Sequence, residues 1–247
     1  MALKEVDSAH PPGAVGITSG ELTRYAEFSI SMLKLRVPRG TRFVWTRGVG
    51  IAGNCNEIIR KTLAFTEPRA EWMWLMGDDH TFSPDLLLQL LDRDVPIVTP
   101  LCAFRTPPFN PHLYAFAPPD DPIPFRMLPW SAVPHTGLHK VDATGSAGML
   151  MRRSVMETLT DPWFEVGRTA PDALGEDLWL CKKLRDAGIP LALDCDHRLG
   201  HQTTVTVVPR PDECGVDIDF GKGFITTLEI KTEQDLKQES VHGPGSS

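Results

Sequence analysis

Apolar positions along the chain fall into two rhythms, short unbroken runs and stripes at helical spacing, and the two alternate. AVGIT at 14–18 predicts a first strand. From Glu21 to Arg36, Leu22, Tyr25, Phe28, Ile30, Met32, Leu33 and Leu35 follow a mostly helical pattern, which Pro38 and Gly40 bring to a stop. RFVWT at 42–46 predicts a second strand, Asn54 to Phe65 a helix, WMWLM at 72–76 a third strand, and another helix begins near Ser83. PIVTPLCAF at 96–104 predicts a further buried strand. Alternation of this kind implies an α/β fold whose mostly parallel central sheet is flanked by helices, with ligands gathering beyond the carboxyl ends of the strands.

The second half is less regular. Residues 105–136 are rich in proline and aromatics and predict a long functional loop or flap. LHKVDATGSAGMLMRR at 138–153 resumes strand character around a glycine-containing turn. SVMETL then predicts a short helix, Glu176 to Ala187 a helix ended by Gly188 and Pro190, and LALDC a strand. TVTVV at 204–208 and FITTLEI at 224–230 alternate like strands and add a small antiparallel portion. Residues 1–13 read as a flexible arm, 14–232 as one domain, and the polar 233–247 as a disordered tail.

Composition changes this picture little. The 247 residues are 41% hydrophobic and 23% charged, with no apolar run near the ~18 residues of a membrane span. The start, MALKEVDSAHPPG, has neither the apolar core of a signal peptide nor the character of a transit sequence, so the expected location is cytoplasmic. Five cysteines, Cys55, Cys102, Cys181, Cys195 and Cys214, are scattered without a CxxC pair; they fit reduced thiols and do not point to a cysteine-ligated zinc. A net charge of −7 argues against binding duplex nucleic acid through a broad basic surface. Arg24, Lys34, Arg36, Arg39, Arg42 and Arg47 bias the N-terminal quarter towards basic, either a solvated face or a local groove for a phosphorylated ligand.

The candidate chemistry begins at GDDH, 77–80, where two carboxylates and an imidazole leave the end of a buried strand. Their mutual repulsion is offset most simply by a divalent cation with phosphate oxygens. The structural alternative is helix capping by Asp79 or Ser83 ahead of Pro84. In GSAGMLMRR, Gly145 to Gly148 either let a ligand approach the backbone or form a hairpin turn. In GEDLWLCKKLRDAG, Glu176 and Asp177 open an amphipathic helix, where the helix dipole favours acids and where a cleft would make them a base or a hydroxyl binder. Trp163 and Phe164 are available for stacking on a sugar or base, or for core packing. GVGIAG, 48–53, is a literal GxGxxG between a strand and a helix and sets up a rival reading, an NAD(P)-linked oxidoreductase.

Taken in order, the strand ending in DDH and then xFxP, GSAGMLMRR, GEDLWLCKKLRDAG and the LGH at 199–201 resemble the metal-dependent GT-A glycosyltransferases. The resemblance spans about residues 14–202. It implies a GT-A type, Rossmann-like fold with a nucleotide-binding half at 14–104, a flap at 105–136 and an acceptor half at 137–232. It also implies transfer of a sugar from a nucleotide diphosphate donor, a UDP-sugar above all, with Mn²⁺ or Mg²⁺ stabilising the leaving diphosphate. Aligned through Phe82 and Pro84, Asp79 takes the place of the second aspartate of a DxD motif, and Gly77 stands where the first belongs. A second register, Asp78 and His80, is similar to the polypeptide N-acetylgalactosaminyltransferases; in either register His201 is the later metal ligand. The resemblance further assigns Gly145 and Gly148 to the donor sugar and Thr18, Ser19, Asn56 and Asp78 to the nucleotide. Asp177, with Glu176, becomes the base towards an acceptor hydroxyl or a binder of sugar hydroxyls. The acceptor, whether a glycan, a small molecule or a modified base in phage-like DNA, stays open. A non-catalytic nucleotide-sugar-binding module is the third reading, kept by Gly77.

Overall fold

The computed structural model describes residues 4–19, 25–48, 50–118, 120–121, 124–168, 173–210, 215–221 and 223–229. The tail expected at 233–247, the start of the first expected helix, Arg24 and Cys214 lie outside the described residues. Two compact units are present, one of residues 1–104 and 109–202, the other of 105–108 and 203–247.

The first unit is built on a seven-stranded sheet: β1 Ala14–Ser19, β2 Arg42–Arg47, β3 Trp72–Gly77, β4 Ile97–Leu101, β5 Leu138–Val141, β6 Met149–Arg152 and β7 Leu191–Arg198. Their spatial order is β5-β7-β4-β6-β3-β1-β2. β1 is parallel to β2 and β3, and β7 to β4, whereas β6 runs against both of its neighbours and β5 against β7. The sheet is therefore mixed, with the expected parallel majority. From β1 the chain goes to β2 on one side and returns as β3 on the other, so the strand order reverses at β1 and opens a crevice beyond the carboxyl ends of β1 and β3.

Five helices cover the faces: α1 Ala26–Lys34, α2 Ile51–Ala64, α3 Leu86–Asp92, α4 Arg153–Thr158 and α5 Glu176–Asp186. WMWLM is apolar throughout because it feeds both faces. Met73 and Leu75 join Ile58 and Ile59 of α2 and Leu180 and Leu184 of α5. Trp72, Trp74 and Met76 join Phe28 and Met32 of α1 and Leu86, Leu87, Leu90 and Leu91 of α3. Trp72 and Trp74 are fully buried, and their indole nitrogens donate to Pro11 O at 2.8 Å and Gly148 O at 3.0 Å, so the rings bury apolar area without an orphaned N–H. Burying each large apolar side chain here is worth ~1.5–3 kcal/mol.

Several local expectations change. Lys4–Val6, inside the segment expected as a loose arm, pairs in parallel with Arg36–Pro38. The segment 105–136, expected to be without regular elements, contains the antiparallel strands Leu113–Phe116 and Phe125–Met127, continued by Ala143–Thr144. The prolines around these strands hid a three-stranded sheet whose alternation is too short to register. Arg126, in that hairpin, is paired with Asp121 at 2.5 Å. Of the basic N-terminal residues, Arg36 pairs with Asp85 at 2.6 Å, Arg39 with Asp7 at 2.8 Å, and Arg42 donates to Glu67 O at 2.6 Å. Arg36 and Arg39 thus have carboxylate partners within the chain, and Arg42 a carbonyl partner.

The second unit holds a three-stranded antiparallel sheet of Thr206–Arg210, Gly215–Asp219 and Ile225–Glu229, within which Arg210 pairs with Asp217 at 3.3 Å. Among the described residues, no helix is long and apolar enough to cross a membrane.

Candidate metal and donor site

The chain leaves β3 at Gly77 and turns through Asp78 and Asp79 into a two-residue strand, His80–Thr81. That strand pairs antiparallel with Gly200–His201, which places His201 directly opposite His80. Gln202 N–H donates to Asp79 O at 2.8 Å and closes the arrangement. Cross-strand partners project to the same side, and the two imidazoles accordingly stack with ring centroids 4.4 Å apart and planes 22° apart. Neither Asp79 nor Ser83 is the cap of α3: the helix begins at Leu86 after Asp85 and has no side-chain cap bond. The capping explanation of the acidic cluster falls away.

Asp79 lies between the two histidines. Its Oδ2 is 3.2 Å from His201 Nε2 and its Oδ1 is 2.8 Å from His80 Nδ1. The His80 contact is close in distance but bent, so both ring nitrogens of His80 are buried without a hydrogen-bond partner. His201 Nδ1 is 2.9 Å from Ala103 O, and a carbonyl only accepts, so this nitrogen carries the proton and leaves Nε2 to face Asp79. Burial pulls the His201 pKa down, but Asp79, Cys102 and the Ala103 carbonyl outweigh it and raise it to about 9. Burial raises the Asp79 pKa, but the two histidines hold its carboxyl well below the usual range.

β4 ends at the same edge and delivers Cys102 into the cluster. One ligand atom each of His80, Cys102 and His201 lies within 4.8 Å of the others. Burial pushes the Cys102 thiol up, yet the neighbouring His201 and His80 bring it down to about 7. His112 stands edge-on to His201 with centroids 5.9 Å apart, both of its ring nitrogens buried without a partner. Burial first, then repulsion from His201 and His80, lowers its pKa to about 4. Neither Cys102 nor His112 stood out in the sequence. The usable signal was position alone, since Cys102 directly follows a buried strand at the carboxyl edge.

The other expected site residues divide. Ser19, at the end of β1, donates its hydroxyl to Asp78 Oδ2, and Thr18 Oγ1 lies 3.4 Å from Met76 O, so these residues tie the carboxyl ends of β1 and β3 together where the strand order reverses. Asp78 is thereby held to β1, and the structure does not bring it into the His80, Cys102, His201 group. A Cβ at Gly77 would lie 2.9 Å from Asp79 Oδ1 and 3.0 Å from His80 Nδ1, so a first aspartate there would push both side chains out of their present positions. Asn56 is not available to a nucleotide. Its amide donates to Phe164 O at 2.8 Å and its Oδ1 accepts from Phe164 N at 2.9 Å, fastening α2 to the segment carrying the buried Trp163 and Phe164. These two aromatics are core, not a stacking platform. Gly145 makes room for the His112 ring, and Gly148, at φ 69°, turns the chain into β6 where a side chain would strike Pro100. Both are explained by packing rather than by a sugar ring.

Glu176 and Asp177 occupy the first turn of α5, and Asp177 Oδ1 accepts from Leu178 N at 2.8 Å. Burial, then the adjacent Glu176 charge, raises the Asp177 pKa to about 6 despite the favourable helix terminus. The same carboxylates help push up the buried Cys55 thiol, and Asp177 the Tyr114 hydroxyl, so the pair faces α2 and the 113–116 strand. GVGIAG follows β2 at the sheet edge instead of the crevice, and its end forms the first turn of α2. This is not the place at which an open sheet binds a dinucleotide.

The reversed β6 in an otherwise parallel core, with the strand order reversing at β1 and β3, is consistent with a GT-A-like α/β fold. No protein-family model matches the chain, and no curated protein matches its sequence. Solved structures share the fold. A197 from STIV superposes with a TM-score of 0.54 at 11% identity, over 90% of this chain and 99% of that one. GalNAc-T7, solved with UDP, GalNAc and Mn²⁺, superposes with a TM-score of 0.51 at 11% identity, over 78% of this chain and 44% of that one. At this identity the likeness is one of fold.

Proposed function

We propose that the chain is a transferase that uses a nucleotide sugar as donor, holding a divalent cation at the carboxyl edge of its sheet. The observation that carries this is the convergence of Asp79, His80, Cys102 and His201 at the carboxyl edge of the sheet, next to the Ser19–Asp78 hydrogen bond that joins the ends of β1 and β3. An open α/β sheet binds its ligand at that reversal of strand order, and one structure of similar fold was solved with UDP, GalNAc and Mn²⁺. The donor set fits a divalent ion: the buried His80 ring makes no hydrogen bond of good geometry, its Nδ1 lying 2.8 Å from the Asp79 carboxylate, and His201 is oriented by a backbone carbonyl. Asp79, His201, His80 and Cys102 would hold the cation.

Bound there, a cation supplies Lewis-acid stabilisation of a leaving diphosphate. Ser19 and Asp78, joined by their hydrogen bond, would meet the nucleotide at the reversal of strand order. Asp177, with its pKa raised to about 6, is ionised at neutral pH and more basic than an ordinary aspartate. It would take the proton of an acceptor hydroxyl in an inverting reaction, or bind sugar hydroxyls in a retaining one.

The test is thermal stability of the purified chain against UDP-, GDP-, CMP- and dTDP-sugars and NAD(P), each with and without divalent metal. A ligand specific for the folded state at about 100 times its Kd stabilises by roughly 2.7 kcal/mol. Metal-dependent stabilisation by one nucleotide sugar, lost in Asp79→Ala and His201→Ala, is expected. Stabilisation by NAD(P) alone, indifferent to those variants, would refute the proposal. Donor binding with neither hydrolysis nor transfer would reduce the chain to a binding module.

A further inference from the structure

The cluster holds a donor that a manganese site built on paired aspartates does not need. A sulfur atom belongs to it, and Gly77 stands where the first carboxylate of such a pair would be. Oxygen ligands suit Mg²⁺ and Mn²⁺, whereas thiolate and imidazole select zinc and its late-transition neighbours.

We propose that His80, Cys102 and His201 hold a thiophilic divalent ion, zinc foremost, through one imidazole nitrogen each and the Cys102 thiolate, with Asp79 as the oxygen donor beside them. Three observations carry this. The three ligand atoms converge within 4.8 Å, close enough for small rotations to reach zinc–nitrogen bonds of about 2.0–2.1 Å and zinc–sulfur bonds of about 2.3 Å. His80 is only 4% exposed, and neither ring nitrogen has a hydrogen bond of good geometry: Nδ1 meets only the Asp79 carboxylate, at 2.8 Å, so a metal bond to a ring nitrogen would offset the cost of burying this ring. His201 already donates Nδ1–H to Ala103 O, the second contact that orients a ligating imidazole, and its Nε2 faces Asp79 at 3.2 Å, where a metal would displace the proton Nε2 shares with that carboxylate.

The contrast with the other cysteines is instructive. Cys55, Cys181 and Cys195 are also buried, but burial and neighbouring carboxylates push their thiols up, which disfavours the thiolate a metal needs. Cys102 is the described cysteine that sits with histidines. This inference concerns the same site as the transferase reading and fixes which metal that site takes.

The experiment is cobalt and zinc titration of the full chain after removal of metal with a chelator. Co²⁺ reports its ligands optically: a thiolate-to-cobalt charge-transfer band and tetrahedral visible bands are expected at one equivalent, and Zn²⁺ should bleach them. Competition should rank Zn²⁺ above Mn²⁺ by on the order of 100-fold. Cys102→Ala and the isosteric Cys102→Ser should each abolish the charge-transfer band and weaken Zn²⁺ by at least about tenfold, while Cys195→Ala keeps the band. Co²⁺ binding by the unaltered chain without a thiolate band overturns the inference whatever the variants do. So does equal affinity for Mn²⁺ and Zn²⁺, or a band that survives both Cys102 substitutions in folded protein. Nucleotide-sugar binding is scored separately: a thiolate band with no donor binding sinks the transferase reading alone, and Mn²⁺-dependent donor binding with no thiolate band sinks this inference alone.

Discussion

Replacing Asp177 with asparagine should make the protein more stable at neutral pH while removing its proposed base. The carboxyl has a pKa of about 6 in the folded chain against the ordinary 3.8, because burial and Glu176 disfavour its charge. For an acid raised on folding, stability is greatest below the unfolded value and falls as pH climbs through the interval to the folded value. At 1.36 kcal/mol per pKa unit, the full interval from 3.8 to about 6 corresponds to ~3 kcal/mol of penalty in the ionised state. Asp177 is half-buried rather than sealed, so solvent screening brings the expected gain to about 1–2 kcal/mol. Asparagine keeps an oxygen to accept the 2.8 Å bond from Leu178 N–H, so little else changes. For a chain of this size the gain is a Tm rise of roughly 2–8 °C near pH 8, shrinking towards zero near pH 4. Scanning calorimetry of both proteins across that range checks it, since carboxylates common to the two cancel in the difference. An asparagine variant that is less stable near pH 8, or equally shifted at both ends, refutes the reasoning about Asp177.

The Asp79–His201 pair should stabilise the metal-free chain most in mildly acid solution: His201, raised to about 9, loses its contribution as pH rises from 6.5 to 9, and Asp79, depressed, loses its own as pH falls below 3.8. Tm measured with a chelator present should therefore fall between about pH 6.5 and 9, and Asp79→Asn should flatten that fall. Gly77→Asp, which restores the letter of a DxD motif, should lower metal affinity by about tenfold or more, because its Cβ would lie 2.9 Å from Asp79 Oδ1 and 3.0 Å from His80 Nδ1; calorimetric titration reads the sign directly. Asn56→Ala leaves two buried groups of Phe164 unpaired and should cost about 2–4 kcal/mol in urea unfolding. Donor affinity of the folded fraction should be unchanged.

The sequence made the frame of the sheet readable because strands buried on both faces, such as WMWLM, have few alternatives as 72–77 elements. It also put Asp79, His80 and His201 in one argument, and the structure brings them together. What it hid has a common cause. Asn56 and Phe164 are 108 residues apart, and no local pattern reports that their polar atoms satisfy one another. Cys102 was passed over because a single cysteine has no spacing to match, and its partners come from strands paired far along the chain. Nor does any local pattern in GDDH report that Ser19, 59 residues away, holds Asp78 to the neighbouring strand.

The pairing of His80–Thr81 with Gly200–His201 also bears on how the molecule is made. Asp79 and His201 are 122 residues apart, so the site comes into being only once β4, β6 and β7 have all been laid beside one another. Closing so long a loop is a slow, entropically demanding step of folding. A nascent chain emerging from the ribosome as far as β6 would carry the acidic half of the centre and none of its later imidazole. The proposed metal affinity would then be a property of the finished polypeptide, and its appearance during refolding would mark the docking of the last strand.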